Sequence, residues 1–128
     1  SKFLKVFLNS GKSNGAEILS SSSTESMLSS LNREVLMTKM PSVAPMLSND
    51  VEFFPQSLKS WSPGFMINHD DIESGRPKLS AGWAGLFNSY FWIDRQNNIA
   101  GLILMQMLPF ADEGCINTLQ LFETSIYS

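Results

Sequence analysis

The first third of the chain carries apolar residues at helical spacing. In residues 2–9 they occupy positions i, i+1, i+4 and i+5, which is one face of a helix, and residues 10–11 (Ser-Gly) end it. Further on, Ser22 is followed three residues later by Glu25, which fits a capping box. The pattern therefore predicts a second, short helix that runs through Leu28.

The second half of the chain alternates strand-like runs with turn formers. Residues 64–68 predict one strand, residues 83–94 a second and residues 99–108 a third, and residues 95–98 have the composition of a hairpin turn. We therefore predict a three-stranded antiparallel meander. The third strand is apolar on both alternating faces, which indicates that layers cover both sides of the sheet.

A final helix is predicted after the sheet. Asp112 can cap it, and the apolar residues that follow lie at helical spacing, with Glu123 as the charged exception. Together these elements predict an α+β fold in which the C-terminal helix packs on one face of an antiparallel sheet.

The order of the elements predicts one domain portion over residues 1–128, in three parts. Residues 1–30 form a helical segment, residues 31–60 an irregular loop region, and residues 61–128 the antiparallel strands with the terminal helix. Prolines recur through the middle part, which disfavours long regular elements there. A loop of this kind can cover a cleft.

The composition excludes several classes of protein. The chain has 128 residues, 43% of them hydrophobic, and a net charge of −3, so it can bury a core and is neither disordered nor fibrous. An acidic balance without a Lys/Arg run disfavours nucleic-acid binding. The longest apolar stretch is about half the length that a membrane span needs. The single cysteine excludes an internal disulfide, and we expect no metal or organic cofactor.

Three short patterns suggest chemistry, but each fits ordinary structure better. Residues 11–15 match the Gly-x-Ser-x-Gly elbow around Ser13, yet a helix precedes them and the chain's one histidine has no evident orienting acid. His69 and the acidic residues 70–73 suggest a metal or acid/base site, although adjacent strand residues alternate faces and a solvated loop is favoured. Cys115 could be a reactive thiol, but a buried small hydrophobic residue is the favoured interpretation.

Residues 80–94 are the most informative stretch. Two glycines bracket Trp83 at the start of an aromatic strand, which indicates that something approaches the backbone closely there. The run WAGLFNSYFWID at 83–94, followed after a turn by IAGLILMQMLPFAD at 99–112, resembles the C-terminal end of the serine β-lactamase-related family. It is most similar to the esterases and transesterases that share the class C β-lactamase fold. A weaker resemblance extends upstream over nearly the whole chain.

The resemblance implies a β-lactamase/transpeptidase-like fold and a set of site residues. In the family, the serine of Ser-x-x-Lys attacks an acyl group with help from its lysine and from the tyrosine of Tyr-x-Asn, and a third motif lines the opposite wall. Residues 83–85 match the His/Trp-x-Gly form of that third motif. By resemblance, Trp83, Ala84 and Gly85 bind substrate, Trp83 borders the acyl pocket, and the Leu86 N–H is one of two oxyanion-hole donors.

The first two family motifs do not occur in this sequence. No lysine has Ser or Thr three positions before it, and neither Tyr90 nor Tyr127 is followed two residues later by Asn. The resemblance thus implies a C-terminal part of a serine hydrolase that acts on carboxylic esters through an acyl-serine intermediate. We expect the chain alone to be inactive. Its expected partners are the missing N-terminal part of the same domain and a small ester or acyl substrate.

Two alternatives remain open. The longer protein to which this part belongs could be a degenerate relative that serves as a non-catalytic binding or structural module. It could also be a true β-lactamase or D-Ala carboxypeptidase. Trp83 in place of the lysine of Lys-Thr-Gly removes a partner for a substrate carboxylate, which favours neutral esters. The family's N-terminal strands pair beside the strand that matches residues 99–108, so we expect that edge to be open and the chain to associate.

Overall fold

Residues 1–29 and 35–128 are described by a computed structural model of the chain. The predicted boundary between residues 30 and 31, and residues 31–34 of the predicted irregular region, lie outside these residues. The helices and strands are, in chain order, α1 Lys2–Leu8, β1 Lys12–Ser13, β2 Ala16–Glu17, α2 Ser21–Leu28, β3 Lys59–Trp61, β4 Met66–Asn68, β5 Ala81–Gly85, β6 Ser89–Asp94, β7 Ile99–Ile103 and α3 Glu113–Tyr127.

The main sheet has five strands in the order β3-β4-β5-β6-β7, and every neighbouring pair is antiparallel. The prediction of three strands missed β3 altogether, and it was wrong in two further places. Residues 83–94 form two strands instead of one, because Asn88 takes a φ of +61° and its N–H donates to the Gly85 carbonyl at 3.0 Å, which closes a turn. The apolar Leu86 and Phe87 in that turn concealed it in the sequence.

The second error lies at the last strand. β7 ends at Ile103 instead of residue 108, and the apolar residues beyond it belong to a loop that runs beside the β5–β6 turn. β7 is also the edge strand of the sheet; Leu102 within it is 38% exposed, and Leu104 just after it is 73% exposed. Its apolar character on both faces therefore does not reflect complete burial.

Helices cover the two faces of the sheet, as adjacent residues of β6 show. Trp92 belongs to a buried cluster with Cys115 and Leu119 of α3, whereas Ile93 belongs to a second cluster with Leu4 and Phe7 of α1. Successive strand residues point to opposite faces, so α1 and α3 lie on opposite sides. The predicted α+β architecture with a C-terminal helix on one face is confirmed.

The helix starts are set by local hydrogen bonds. Asp112 caps α3 as predicted, since its side chain accepts from the Cys115 N–H at 3.0 Å. The capping box at Ser22 was wrong, because the N-cap of α2 is Ser20, whose hydroxyl accepts from the Ser23 N–H at 3.0 Å. Ser22 thus lies inside the helix.

A buried ion pair joins α3 to the loop before β5. Arg76 is 3% exposed and Glu123 2% exposed, and the Arg76 Nε donates to Glu123 Oε2 at 3.0 Å. The guanidinium carbon also lies 5.1 Å from the ring centroid of Phe54 and 5.0 Å from that of Trp92. The sequence placed Arg76 in a polar loop and treated Glu123 as an exception to an apolar face, so this contact was missed.

Candidate functional site

The second half of β5 has a free edge. β6 pairs with all of β5, from Ala81 to Gly85, whereas β4 pairs only with Ala81 and Gly82. Within the described ranges, Trp83, Ala84 and Gly85 therefore have a strand neighbour on one side alone. Their backbone groups on the other side are placed to bind an extended ligand as an added strand.

The free edge exists because the chain leaves the sheet just before β4. A turn over residues 62–65 separates β3 from β4, and the Ser62 hydroxyl accepts from the N–H groups of Gly64 at 3.2 Å and Phe65 at 2.9 Å. The Ser62 N–H in turn donates to the Phe65 carbonyl at 2.8 Å. This turn prevents β4 from extending alongside Trp83.

Leu86 is the first residue of the turn at the end of this edge. The turn has three residues and closes with a residue in the left-handed region, a common hairpin geometry. In the described part of the chain, the Leu86 N–H donates no backbone hydrogen bond. The side chains of Leu86 and Phe87 are each 47% exposed, so burial of these side chains does not fix the turn.

Asn88 holds the turn through its amide group. The Nδ2 donates to the carbonyls of Met107 at 3.0 Å and Pro109 at 2.8 Å. The Oδ1 accepts from the Tyr90 hydroxyl at 2.6 Å and from the Asp112 N–H at 3.3 Å. Asn88 is fully buried. An asparagine within an apolar run is a turn signal, and the sequence interpretation overlooked it.

Aromatic rings lie against Trp83, the residue that begins the free edge. The ring centroid of Trp61 is 4.7 Å from that of Trp83, and that of Phe53 is 5.9 Å away, both in edge-to-face contact. Phe53 also contacts Tyr90 and Phe110 in the same manner. One border of the candidate site is therefore apolar and aromatic, and Trp61 belongs to it although the sequence did not single it out.

The space around the two glycines of β5 differs. A Cβ at Gly82 would lie 2.5 Å from the Phe91 carbonyl oxygen and 2.8 Å from an Arg76 nitrogen, so packing alone requires glycine. A Cβ at Gly85 would meet only atoms of Ser89, at 4.0 Å. Among the described residues, packing thus accounts for Gly82 but leaves Gly85 unexplained.

The other candidate residues lie in different surroundings. Ser13 lies on β1, after helix α1 and before a tight turn, which is not the strand-to-helix context of a nucleophile elbow. The His69 Nε2 is 2.6 Å from the hydroxyl of Ser60, which is completely buried and out of reach of a substrate. Burial, followed by the neighbouring Asp112, raises the pKa of the Cys115 thiol, which disfavours the reactive thiolate.

The described residues contain no group of three or more His, Cys, Asp and Glu side chains that could hold a metal ion. None of the helices in the described ranges combines the length and the apolar character that crossing a membrane requires.

No protein-family model matches the chain. No curated protein matches it either. Solved structures do match. An unliganded simvastatin synthase (LovD) from Aspergillus terreus has a TM-score of 0.72 at 19% identity, over 98% of this chain and 32% of LovD. A penicillin-binding protein homolog from Caulobacter crescentus has a TM-score of 0.60 at 14% identity, over 97% of this chain and 29% of its own.

The matches define the fold class. The chain has part of the β-lactamase/transpeptidase-like α+β fold, as the sequence resemblance implied. It spans about a third of the length of the solved structures that it matches.

Proposed function

We propose that this chain is the C-terminal part of a serine hydrolase or acyltransferase domain and supplies the oxyanion side of its active site. The observation that carries the proposal is the free edge of β5, which ends at the Leu86 N–H. The likeness of the chain's fold to a simvastatin synthase and a penicillin-binding protein homolog also supports the proposal. The nucleophile then belongs to the missing N-terminal part of the domain. We call the longer protein the parent.

The proposed reaction proceeds through an acyl-serine intermediate. The parent's serine oxygen attacks the ester carbonyl and loses its proton to a base, and the carbonyl oxygen becomes an oxyanion. The Leu86 N–H donates to that oxyanion, and the nucleophile's own N–H is the second donor. Collapse expels the alcohol, which takes up the proton, and water or a second alcohol then releases the acyl group.

The substrate class that we propose is a neutral carboxylic ester. The acyl group would lie beside Trp83 and along Ala84 and Gly85, next to the aromatic border that Trp61 extends. Two cations that the structure describes near this border are both occupied: Arg76 is buried and paired with Glu123, and Lys59 is buried with its Nζ donating to the Phe54 carbonyl. Neither is available to a substrate carboxylate. Among residues 1–29 and 35–128, this apolar border presents no free cation, which favours neutral acyl groups over penicillins and D-Ala peptides.

The proposal is tested by deleting the Leu86 N–H in the parent. Leu86→Pro removes the donor, and the change is compatible with the backbone because proline suits the first position of a turn and Gly85 before it is extended. Leu86→Ala keeps the N–H and is the matched control. We expect kcat for p-nitrophenyl ester hydrolysis to fall by about 10²–10³ in Leu86→Pro and to stay near the parent's value in Leu86→Ala.

Other outcomes would identify the alternatives. A parent that turns over nitrocefin faster than esters would be a β-lactamase or a D-Ala carboxypeptidase relative. A parent without Ser-x-x-Lys and Tyr-x-Asn, and without acyl transfer, would be a binding or structural module. Hydrolysis by this chain alone that Ser13→Ala abolishes would refute the proposed role of residues 83–86.

A further inference from the structure

We infer that Asn88 is a positioning residue for the oxyanion donor, an inference that rests on the proposed function. The Leu86 N–H can stabilise an oxyanion only if its direction is fixed before the reaction. Leu86 and Phe87 are half exposed, so their side chains cannot provide that rigidity. The remaining residue of the turn, Asn88, is completely buried, and both the nitrogen and the oxygen of its side-chain amide make hydrogen bonds.

The hydrogen bonds of Asn88 connect the turn to a separate segment of the chain. Its Nδ2 reaches two carbonyls of the loop that follows β7, and its Oδ1 reaches the N-cap residue of α3. The same loop makes three more hydrogen bonds to the turn and to Ser89, the first residue of β6; one of them runs from the Met105 N–H to the Ser89 hydroxyl at 3.2 Å. The Met107 N–H donates to the Phe87 carbonyl at 3.2 Å, and the Ser89 hydroxyl donates to the Met105 carbonyl at 3.1 Å.

The backbone conformation of Asn88 adds a second requirement. Its φ of +61° suits Asn, Asp and Gly but strains most other residues. Glycine at this position would keep the turn conformation and lose every side-chain hydrogen bond. Asn88→Gly therefore separates the two contributions, because the conformation is retained while the connection to the loop is lost.

The experiment compares three forms of the parent with a p-nitrophenyl ester and with phenylboronic acid. The boronate's tetrahedral serine adduct places an oxygen at the proposed donor. The forms are the unsubstituted parent, Asn88→Gly, and Leu4→Ala, which truncates a buried residue on the opposite face of the sheet and controls for lost stability. In Asn88→Gly we expect kcat to fall about 10- to 100-fold and boronate affinity to fall in parallel, with KM changed less than about threefold.

Each outcome separates this inference from the proposed function. Unchanged kcat and boronate affinity in folded Asn88→Gly would overturn the positioning role alone. An equal loss of kcat in Leu4→Ala would also overturn it, because the effect would then follow stability. Absence of ester turnover in the unsubstituted parent would overturn the proposed function and this inference with it.

Discussion

Gly82 and Gly85 lie three residues apart on β5, and we expect their replacement by alanine to change the stability of the fold differently. A Cβ at Gly82 would lie 2.5 Å from a backbone oxygen of β6 and 2.8 Å from the Arg76 guanidinium. Neither neighbour can move freely, because one is in the sheet and the other is held by Glu123. Gly82→Ala should therefore lower the unfolding free energy by about 1–3 kcal/mol, the usual range for overpacking.

Gly85→Ala should leave the fold intact. The nearest described atoms would be 4.0 Å from the new methyl group, which is ordinary contact, and the φ of Gly85 is not in the left-handed region. The loss of chain entropy in the unfolded state should then raise stability by about 0.4–1 kcal/mol or leave it unchanged.

The effect of Gly85→Ala on activity should be large if substrate lies along the free edge. The methyl group would then overlap the ligand, at a cost of about 1–3 kcal/mol, which corresponds to a fall in kcat/KM of about 5- to 150-fold. The assay is ester hydrolysis by the parent, with urea unfolding of the same samples. Full kcat/KM in folded Gly85→Ala would refute the placement of substrate. A loss of stability equal to that of Gly82→Ala would refute the open geometry of the edge.

Three further predictions concern the fold. Glu123→Leu should destabilise the parent by about 3–5 kcal/mol, because it leaves the Arg76 guanidinium buried without its carboxylate. Adding Arg76→Met to this variant should restore most of the lost stability, as measured by urea unfolding. A double variant as unstable as the single one would contradict this. Burial raises the pKa of Tyr127 to about 12, above the unfolded value of about 10. The contribution of Tyr127 to stability should therefore be present below pH 10 and be lost as the pH rises toward 12. Unfolding curves at about pH 9 and pH 11.5 should show a smaller loss of stability in Tyr127→Phe, and an unchanged pH dependence in that variant would argue against this assignment. This chain expressed alone should associate through the edge at β7, and Leu102→Lys with Leu104→Lys should reduce its apparent mass in size-exclusion chromatography. A monodisperse monomer without these changes would contradict the association, and an unchanged apparent mass with them would show that the edge is not its cause.

The fold was predictable where one physical signal dominated. Helical spacing and the Asp112 cap predicted α3, and the turn formers at residues 95–98 predicted the β6–β7 hairpin. Prediction failed at the turn over residues 86–88, where two apolar residues continue the strand pattern and only Asn88 interrupts it. The conformation there is decided by hydrogen bonds to a loop about 20 residues away in sequence, and local periodicity carries no signal of such contacts.

The candidate site was predictable only in part, for a related reason. The motif at residues 83–85 pointed to the strand, but the free edge depends on where β4 begins, and the Ser62 turn decides that. The pairing of Arg76 with Glu123 was hidden because each residue, taken alone, is typical of a solvated position. A buried ion pair becomes visible only when the tertiary structure brings both partners together.

The proposed donor at Leu86 is a main-chain group, and the binding edge before it is main chain as well. A main-chain N–H is present in every residue except proline, so selection on such a site acts on the path of the backbone more than on the side chains along it. Sequences can then diverge widely while the site persists, provided that turn and packing residues such as Asn88 and Gly82 keep the path. At 19% identity, the fold of this chain superimposes on that of a structural neighbour with a TM-score of 0.72, so a site built from main chain would be recognised from backbone geometry before it was recognised from aligned residues.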